Sequence, residues 1–317
     1  MQRETQVDDV RPTQSSREVI SKVEKVCGRD VGRGTGPLAT HAKGNLFSAC
    51  ASIANHPSPS IGIITGFFIP GASPPACETD GPIGAAFLSR ALAQVNVPVR
   101  VVTDSLSENA VMVALNGIGA REGQIDLDVV PIGDDAAIDR IVKRWKDVDV
   151  THVVSIERAG PAADGRTYNM RGHDISDTNA PLHNLFDRAD HGWVTVGIGD
   201  GGNELGMGSL PRDLISANVN LGAKIACVVP CDHLVVCGVS NWGAWGLVAG
   251  LCVVKEEWRR KMLEGFRDGS CERCLKECVR KGPAVDGVSG EQRLSVDGLD
   301  WKQHEAMLEE ILNVITE

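Results

Sequence analysis

Short apolar runs alternate with segments of helical period along much of this chain. Between the runs at residues 61–64 and 99–103, Pro82 starts a segment whose apolar residues share one helical face. Such alternation is typical of a largely parallel sheet with helices on both faces. We therefore predict a three-layer α/β/α fold with a mostly parallel, Rossmann-like sheet. The predicted strands cover residues 61–64, 99–103, 127–130, 151–156, 194–198, 224–229 and 234–239.

The composition is that of an ordinary globular protein. The 317 residues are 42% hydrophobic and 23% charged, and no internal repeat or linker divides them. We predict a flexible N-terminus over residues 1–15 and a single domain over residues 16–317. The formal net charge of -10 argues against a nucleic-acid surface, which needs clustered Lys and Arg.

Residues 234–254 contain no charged side chain and are about long enough to span a membrane. Ser240, Asn241 and Gly243 interrupt the run, so we predict a strand followed by a helix rather than a membrane span. Neither a secretory signal nor a transit peptide is evident at the N-terminus. We expect a cytoplasmic protein, with the mitochondrial matrix as the alternative.

The ten cysteines suggest reduced thiols, because the chain is long and shows no signal sequence. Three of them, Cys271, Cys274 and Cys278, have the spacing of one helical face. That spacing favours core packing over a zinc site, since a second clear pair of ligands is lacking.

The stretch from Val194 to Gly208 is a predicted strand that runs into a glycine-rich loop containing Asp200, Asn203 and Glu204. Glycine lets a ligand approach the main chain, so the loop can offer N–H groups beside oxygen-bearing side chains. The bland alternative is a turn in which Asp and Asn bond their own backbone. The polar segment over residues 160–192 is a second candidate, as a functional loop or lid.

Other candidates lie where predicted strands end. Glu78 and Asp80 precede the helix at Pro82, where two carboxylates would oppose an anion unless a cation bridges them or one is protonated; helix capping is the alternative. Glu157 and Arg158 follow another strand, and an arginine there can hold a substrate carboxylate or form a surface ion pair.

Asp200 with Glu204, joined by Glu157 or Asp80, has the oxygen ligands that Mg²⁺ or Mn²⁺ prefers. The rival interpretation is a nucleotide-binding or redox module, with Asp104 as a ribose-binding acid. Against it, residues 81–84 lack the G-x-G-x-x-G pattern, and the nearby acids would repel a pyrophosphate.

Five ordered blocks of sequence, over about residues 20–315, together resemble the D-glutamate cyclase family, and most narrowly the C-terminal domain of its animal members. The blocks are Thr65-Gly-Phe-Phe-Ile-Pro70 with Glu78-Thr-Asp-Gly-Pro82, Ser155-Ile-Glu-Arg-Ala-Gly160, residues 197–208, Val239-Ser-Asn-Trp-Gly243 and Val285-Asp-Gly-Val288. The resemblance implies a lyase that cyclises D-glutamate to 5-oxo-D-proline with loss of water, without an organic cofactor. Unlike in those animal members, we expect no long N-terminal domain before these blocks.

For this chemistry we expect a divalent cation, Mn²⁺ or Mg²⁺, on Asp200 and Glu204. The expected catalytic residues are Asp80, Glu157, Asp200 and Glu204. The expected substrate-binding residues are Thr65, Glu78, Arg158, Gly201, Gly202, Asn203 and Asn241. The expected partner is a small amino acid, with neither nucleic acid nor membrane, and a homo-oligomer is compatible with the sequence. The alternative is the nucleotide-binding or redox module, or a non-catalytic amino-acid-binding protein.

Overall fold

A computed structural model describes residues 14–119, 123–186 and 192–317. Its main feature is a six-stranded sheet in which every neighbouring pair is parallel. Two two-stranded ribbons accompany the sheet. The strands are Ile61–Thr65 (β1), Phe68–Ile69 (β2), Ala76–Cys77 (β3), Val99–Asp104 (β4), Ile125–Val130 (β5), His152–Ile156 (β6), Val194–Gly199 (β7), His233–Val236 (β8), Ser295–Val296 (β9) and Leu299–Asp300 (β10).

The strand order in the main sheet is β5-β4-β1-β6-β7-β8. Counted along this sheet alone, the strands follow the order 3-2-1-4-5-6 of dinucleotide-binding folds. The chain therefore reverses direction across the sheet between β1 and β6. Ligands in open α/β sheets bind at such a switch point, outside the carboxyl ends of the strands.

Helices cover both faces of the sheet, as the three-layer prediction requires. One core packs β-strand residues such as Ile63 and Val154 against helices from both ends of the chain. The opposite core packs Ile64 and Val153 against the helix that carries Trp145. The helices are Gln14–Cys27 (α1), Gly36–His41 (α2), Asn45–Asn55 (α3), Pro82–Gln94 (α4), Glu108–Gly117 (α5), Asp135–Asp147 (α6), Arg212–Asn218 (α7), Gly222–Ile225 (α8), Ser240–Val254 (α9), Glu256–Met262 (α10), Glu264–Arg267 (α11), Ser270–Lys281 (α12) and Trp301–Thr316 (α13).

The charge-free run at residues 234–254 forms β8 and then α9, as predicted. Nearly every residue of α9 is buried, and a helix that is apolar all round belongs inside a protein. Within the described residues, no helix has both the length and the apolar character needed to cross a membrane.

The cysteine trio packs as core residues, as predicted. Cys271, Cys274 and Cys278 are buried on one face of α12. The Cys274 thiol lies 3.5 Å from the carbonyl oxygen of Ala114 in α5. The spacing of the trio is therefore explained by helix–helix packing.

The predicted strand at residues 224–229 is wrong. The chain there ends the short helix α8 and continues as an extended segment outside the sheet. The Cys227 N–H donates to the Gly202 carbonyl, and the Val228 N–H donates to the Pro161 carbonyl. This segment braces the glycine-rich loop instead of pairing with a strand.

The N-terminal prediction falls mostly outside the described residues, because these start at Gln14. Helix α1 already includes Gln14 and Ser15, which we had placed in the flexible region. Its apolar residues Ile20 and Val23 are fully buried.

Candidate active site

Three acidic side chains from distant parts of the sequence meet at the switch point. Asp80 precedes α4, Glu157 follows β6 and Asp200 follows β7. All three are buried, and one carboxylate oxygen from each lies within 4.8 Å of the other two. The sheet therefore assembles an acidic trio, made of Asp80, Glu157 and Asp200, where the topology predicts a ligand.

Glu157 is held in an unusual backbone conformation. Its φ of 47° lies in the left-handed region that non-glycine residues rarely adopt. The Ser240 hydroxyl donates to its carboxylate over 2.6 Å. Residues held in this region cluster at functional sites, and the strain costs on the order of 1–3 kcal/mol.

Gly81 permits close packing beside Glu157. A Cβ atom at Gly81 would lie 2.9 Å from the Glu157 Cβ and 2.8 Å from the Thr65 hydroxyl oxygen, and the φ of 91° also favours glycine. Thr65 is fully buried, and its hydroxyl has no hydrogen-bond partner among the described residues.

Asp80 and Asn241 cap each other's helices. The Asp80 carboxylate accepts from the N–H groups of Ser240 and Asn241, both at 2.8 Å, at the start of α9. The Asn241 side-chain oxygen accepts from the N–H groups of Gly81 and Gly84, at 3.1 and 2.6 Å, at the start of α4. The alternative in which Asp80 caps α4 is therefore wrong, since Asp80 caps α9 and Asn241 takes the N–H groups at the start of α4.

Both carboxylate oxygens of Glu204 accept hydrogen bonds from its own loop. Its carboxylate oxygens accept from the backbone N–H groups of Asp200, Gly201 and Gly202, at 3.1, 2.5 and 2.7 Å. Asp200 and Glu204 therefore do not form the metal-binding pair that we expected from composition. Glu204 shapes the loop, and Asp80 and Glu157 take its place beside Asp200.

Asn203, next to Glu204, connects two loops. Its side-chain amide donates to the Tyr168 carbonyl over 2.8 Å, which ties the glycine-rich loop to the segment at residues 160–192. Its side-chain oxygen is buried without a partner within the described chain.

Arg158 does not face the site. Its guanidinium is 1% exposed and forms an ion pair with Asp104 over 2.5 Å. It also donates to the carbonyl oxygens of Gly66 and Ala180, at 2.7 and 2.8 Å. Neither the substrate clamp nor the surface ion pair that we considered describes Arg158, which instead ties buried segments together.

Arg33, unlike Arg158, contacts the acidic trio. It donates to Asp200 over 2.6 Å and to Asp297 over 2.7 Å, so it joins the glycine-rich loop to the C-terminal hairpin. Arg33 is not among the predicted site residues. Nothing local in the sequence indicates that it reaches Asp200, because the contact spans 167 positions.

Asp297 also lines the cleft and is not among the predicted site residues. It lies between two short strands as Asp297-Gly298, a dipeptide typical of two-residue hairpin turns. That signal was available in the sequence. It would have predicted the hairpin, though not the cleft that its tip enters.

A cleft of about 320 Å³ opens at the carboxyl edge of the sheet, beside the acidic trio. Of the predicted site residues, Glu78, Glu157 and Asp200 line the cleft. The other predicted residues lie outside its lining: Thr65 ends β1, Asn241 lies in the first turn of α9, and Asp80, Gly201, Gly202, Asn203 and Glu204 lie in loops. Arg158 is buried apart from the cleft. The other lining residues are Gly32, Arg33, Phe67, Ile69, Asn169, Met170, Arg171, Asn220, Gly287, Val288 and Asp297.

The electrostatics of the site favour a cation or protons. The pKa of each of four carboxyl groups lies well above the ordinary range because of burial, and neighbouring carboxylates raise it further. The charge of Arg33 acts in the opposite direction, most strongly on Asp200. The four groups are Glu78, Asp80, Glu157 and Asp200.

The trio fits a divalent cation. One Asp200 oxygen, Oδ1, is bound by Arg33, while the other, Oδ2, is buried without a partner among the residues described. Clustered carboxylate oxygens are ligands that Mg²⁺ and Mn²⁺ accept. A cation would satisfy this oxygen and remove the repulsion within the trio.

Comparison with known proteins gives one family. Residues 23–312 match the family described as "D-glutamate cyclase-like, C-terminal". "D-glutamate cyclase, mitochondrial" from Homo sapiens is 32% identical over 330 aligned positions, which cover 95% of this chain and 53% of that protein. The chain thus spans about half the length of this relative. We conclude that the chain belongs to the D-glutamate cyclase-like, C-terminal family.

Proposed function

We propose that this protein is a lyase that converts D-glutamate to 5-oxo-D-proline and water. The observation that carries the proposal is the buried acidic trio with a free Asp200 oxygen, at the switch point of the sheet and beside a cleft suited to a small molecule. The similarity to a human protein named D-glutamate cyclase supports this choice of substrate.

The reaction joins the amino nitrogen to the γ-carboxyl carbon and breaks one carbon–oxygen bond. The ammonium group loses two protons, and the departing oxygen gains two and leaves as water. The γ-carboxylate is a poor electrophile because its charge is delocalised over both oxygens. A site for this reaction must therefore neutralise that charge and carry protons between the two ends of the substrate.

The trio would meet the first requirement by holding a divalent cation. We assign Asp80, Glu157 and Asp200 as its ligands, since their oxygens already lie close together. A bound cation would supply Lewis-acid stabilisation of negative charge on the γ-carboxyl oxygen. Glu204 keeps the loop in shape and remains outside this group.

We assign the second requirement to Glu78. This residue lies outside the trio and lines the cleft. Its pKa is raised by burial first and by the charges of Asp297 and Asp80 next. A carboxyl group with a raised pKa holds and returns a proton more readily than an ordinary carboxyl group, which is what the amine and the departing oxygen need.

The nucleotide-binding alternative finds little support at the same edge. The N–H groups of Gly81 and Gly84, which would bind a phosphate at the start of α4, already donate to Asn241. Asp104, the candidate ribose-binding acid, is fully buried and paired with Arg158.

The test is direct detection of product. The purified protein is incubated with D-glutamate or L-glutamate, with Mn²⁺ or with EDTA, and proton NMR follows the appearance of 5-oxoproline. We expect product from D-glutamate with Mn²⁺, and much less with EDTA. Binding of D-glutamate without turnover would instead support the non-catalytic amino-acid-binding protein.

A further inference from the structure

The C-terminal hairpin delivers one residue into the cleft. Strands β9 and β10 are joined by Asp297 and Gly298, whose φ angles are 54° and 76°. Two consecutive left-handed residues between paired strands are the signature of a tight two-residue hairpin turn. The turn places Asp297 at the tip, and its side chain lines the cleft.

Buried side chains hold the hairpin in place. One Asp286 oxygen accepts from the Gly298 N–H and from the Ser295 hydroxyl, both at 2.7 Å. The His304 ring lies 3.2 Å from the Val296 carbonyl oxygen, while its other ring nitrogen contacts the Trp242 indole N–H at 2.9 Å. These contacts fix the tip with respect to the core.

The Asp297 carboxylate is only half satisfied. Its side chain is 4% exposed, and one oxygen, Oδ1, pairs with Arg33 over 2.7 Å. The other oxygen, Oδ2, is buried and has no partner in the part of the chain that the structure describes. Leaving a buried anionic oxygen unpaired is costly, so this arrangement calls for a donor from a ligand.

The donor that suits this oxygen is a cationic N–H group. Asp297 is not among the residues whose oxygens cluster within 4.8 Å, so it is less suited to share the trio's metal ion. Glu78 also lines the cleft and interacts electrostatically with Asp297, so the surroundings of Asp297 are acidic. A primary ammonium needs only separate, well-placed acceptors rather than a compact shell of ligands.

We propose that Asp297 binds the ammonium group of the amino-acid substrate through its free oxygen, while Arg33 holds the other oxygen in place. This inference rests on the proposed function, which supplies the substrate class. It makes Asp297 a specificity residue that distinguishes glutamate from dicarboxylates lacking an amine. It also places the substrate nitrogen beside Glu78, the proton carrier assigned above.

Asp297→Asn is a clean test. Asparagine tolerates left-handed φ angles, and Asn-Gly is a strongly favoured two-residue hairpin turn. The variant should therefore keep the hairpin and lose only the negative charge. Asp139→Asn is the matched control, because Asp139 is exposed on α6 and does not line the cleft.

Binding of two ligands is compared in Mn²⁺-loaded protein. For D-glutamate the measured constant is the KM. For glutarate, which lacks the amine, the inhibition constant is measured from kinetics and the dissociation constant by calorimetry. We expect Asp297→Asn to raise the KM by about 10- to 100-fold, the range for a hydrogen bond between charged groups. Both constants for glutarate should change less than about threefold, because glutarate does not use this contact.

An equal loss for D-glutamate and glutarate would assign Asp297 a structural role and overturn the proposal. Unchanged constants for both ligands would overturn it as well. Asp139→Asn should match the wild type in all of these constants. If the wild-type protein neither binds nor converts D-glutamate, the proposed function itself fails, and that outcome is separate because it precedes any comparison of variants.

Discussion

Asp200 and Glu204 lie four positions apart but have different tasks. Asp200 keeps one oxygen free beside Asp80 and Glu157, whereas both Glu204 oxygens accept from N–H groups of the loop. Side-chain type alone could not separate them, since both are acids in one glycine-rich stretch. The conformation of the loop determines which of the two carboxylates accepts hydrogen bonds from backbone N–H groups.

We predict that substitution of Glu204 mainly lowers stability, whereas substitution of Asp200 mainly weakens metal binding. Glu204→Gln replaces one acceptor oxygen by an N–H₂ group that faces backbone donors, so it should lower the free energy of unfolding by roughly 1–3 kcal/mol. Asp200→Asn should change this free energy less and should weaken Mn²⁺ binding by about tenfold or more. Urea unfolding with EDTA and calorimetry with Mn²⁺ measure the two effects. Equal effects on both quantities in the two variants would contradict the division of roles.

The contacts of Arg158 and Arg33 could not be predicted from the sequence. Arg158 was placed correctly at the end of a strand, yet Asp104 and two carbonyl groups draw its side chain into the interior. Arg33 was not among the predicted site residues, yet it lines the cleft. In each case the deciding partner lies far along the chain, so local spacing carries no signal.

The starts of α4 and α9 depend on each other. Asp80 caps α9, and Asn241, in the first turn of α9, caps α4. This exchange helps to position Asp80 for the acidic trio. Packing of the two helices is close as well, since a Cβ atom at Gly84 would lie 2.9 Å from the Ala244 Cβ.

Loss of either cap in this pair should destabilise the first turns of α4 and α9. We predict that Asn241→Ala lowers the free energy of unfolding by about 1–2 kcal/mol, the range for a lost cap with buried N–H groups left unpaired. Asn313→Ala, at an exposed position in α13, is the control and should be nearly neutral. Thermal unfolding of both variants in EDTA provides the measurement. A neutral Asn241→Ala would show that the exchange of caps carries little energy.

At the scale of elements, strand and helix periods predicted the main sheet well. The exception at residues 224–229 was an apolar run of strand-like length that packs under the glycine-rich loop. Its backbone hydrogen bonds go to Gly202 and Pro161, which periodicity cannot reveal. Short apolar runs remain ambiguous because burial, rather than pairing, accounts for their composition.

The whole molecule carries a formal net charge of -10 and concentrates several acids at one buried place. Burial raises the pKa of Glu78, Asp80, Glu157 and Asp200 in the native protein. Above the ordinary carboxyl pKa of about 4, the native state therefore binds more protons than the unfolded chain. The associated stability is fully present below that pH and is lost as the pH rises through the raised native values.

A divalent cation should reverse this loss, because it replaces the protons that leave the trio. We predict that the rise in Tm caused by Mn²⁺, relative to EDTA, grows from pH 5 to pH 8. At 100 times its Kd the cation would add about 2.7 kcal/mol. Scanning calorimetry at matched ionic strength checks this, with Asp200→Asn as the variant in which the rise should shrink. A rise that is constant across this pH range would contradict the account.

The alternation of strands and helices was sufficient to predict the layers and the sheet edge where the site lies. The order of the strands was not predictable, since it depends on which helices cover which face. The meeting of Asp80, Glu157 and Asp200 follows from that order, because β6 lies between β1 and β7. The Asp297 hairpin joins the same edge from the far end of the chain, beyond the alternating pattern.

The central claim is that the acidic trio is the centre of a D-glutamate cyclising reaction. Its most direct test is the initial rate of 5-oxo-D-proline formation from D-glutamate with Mn²⁺, in the wild type and in Asp200→Asn. We predict measurable turnover in the wild type and a loss of about 100-fold or more in the variant, given the contribution of electrostatic stabilisation to such reactions. Equal rates in the two proteins, or no product from the folded, Mn²⁺-loaded wild type, would contradict it.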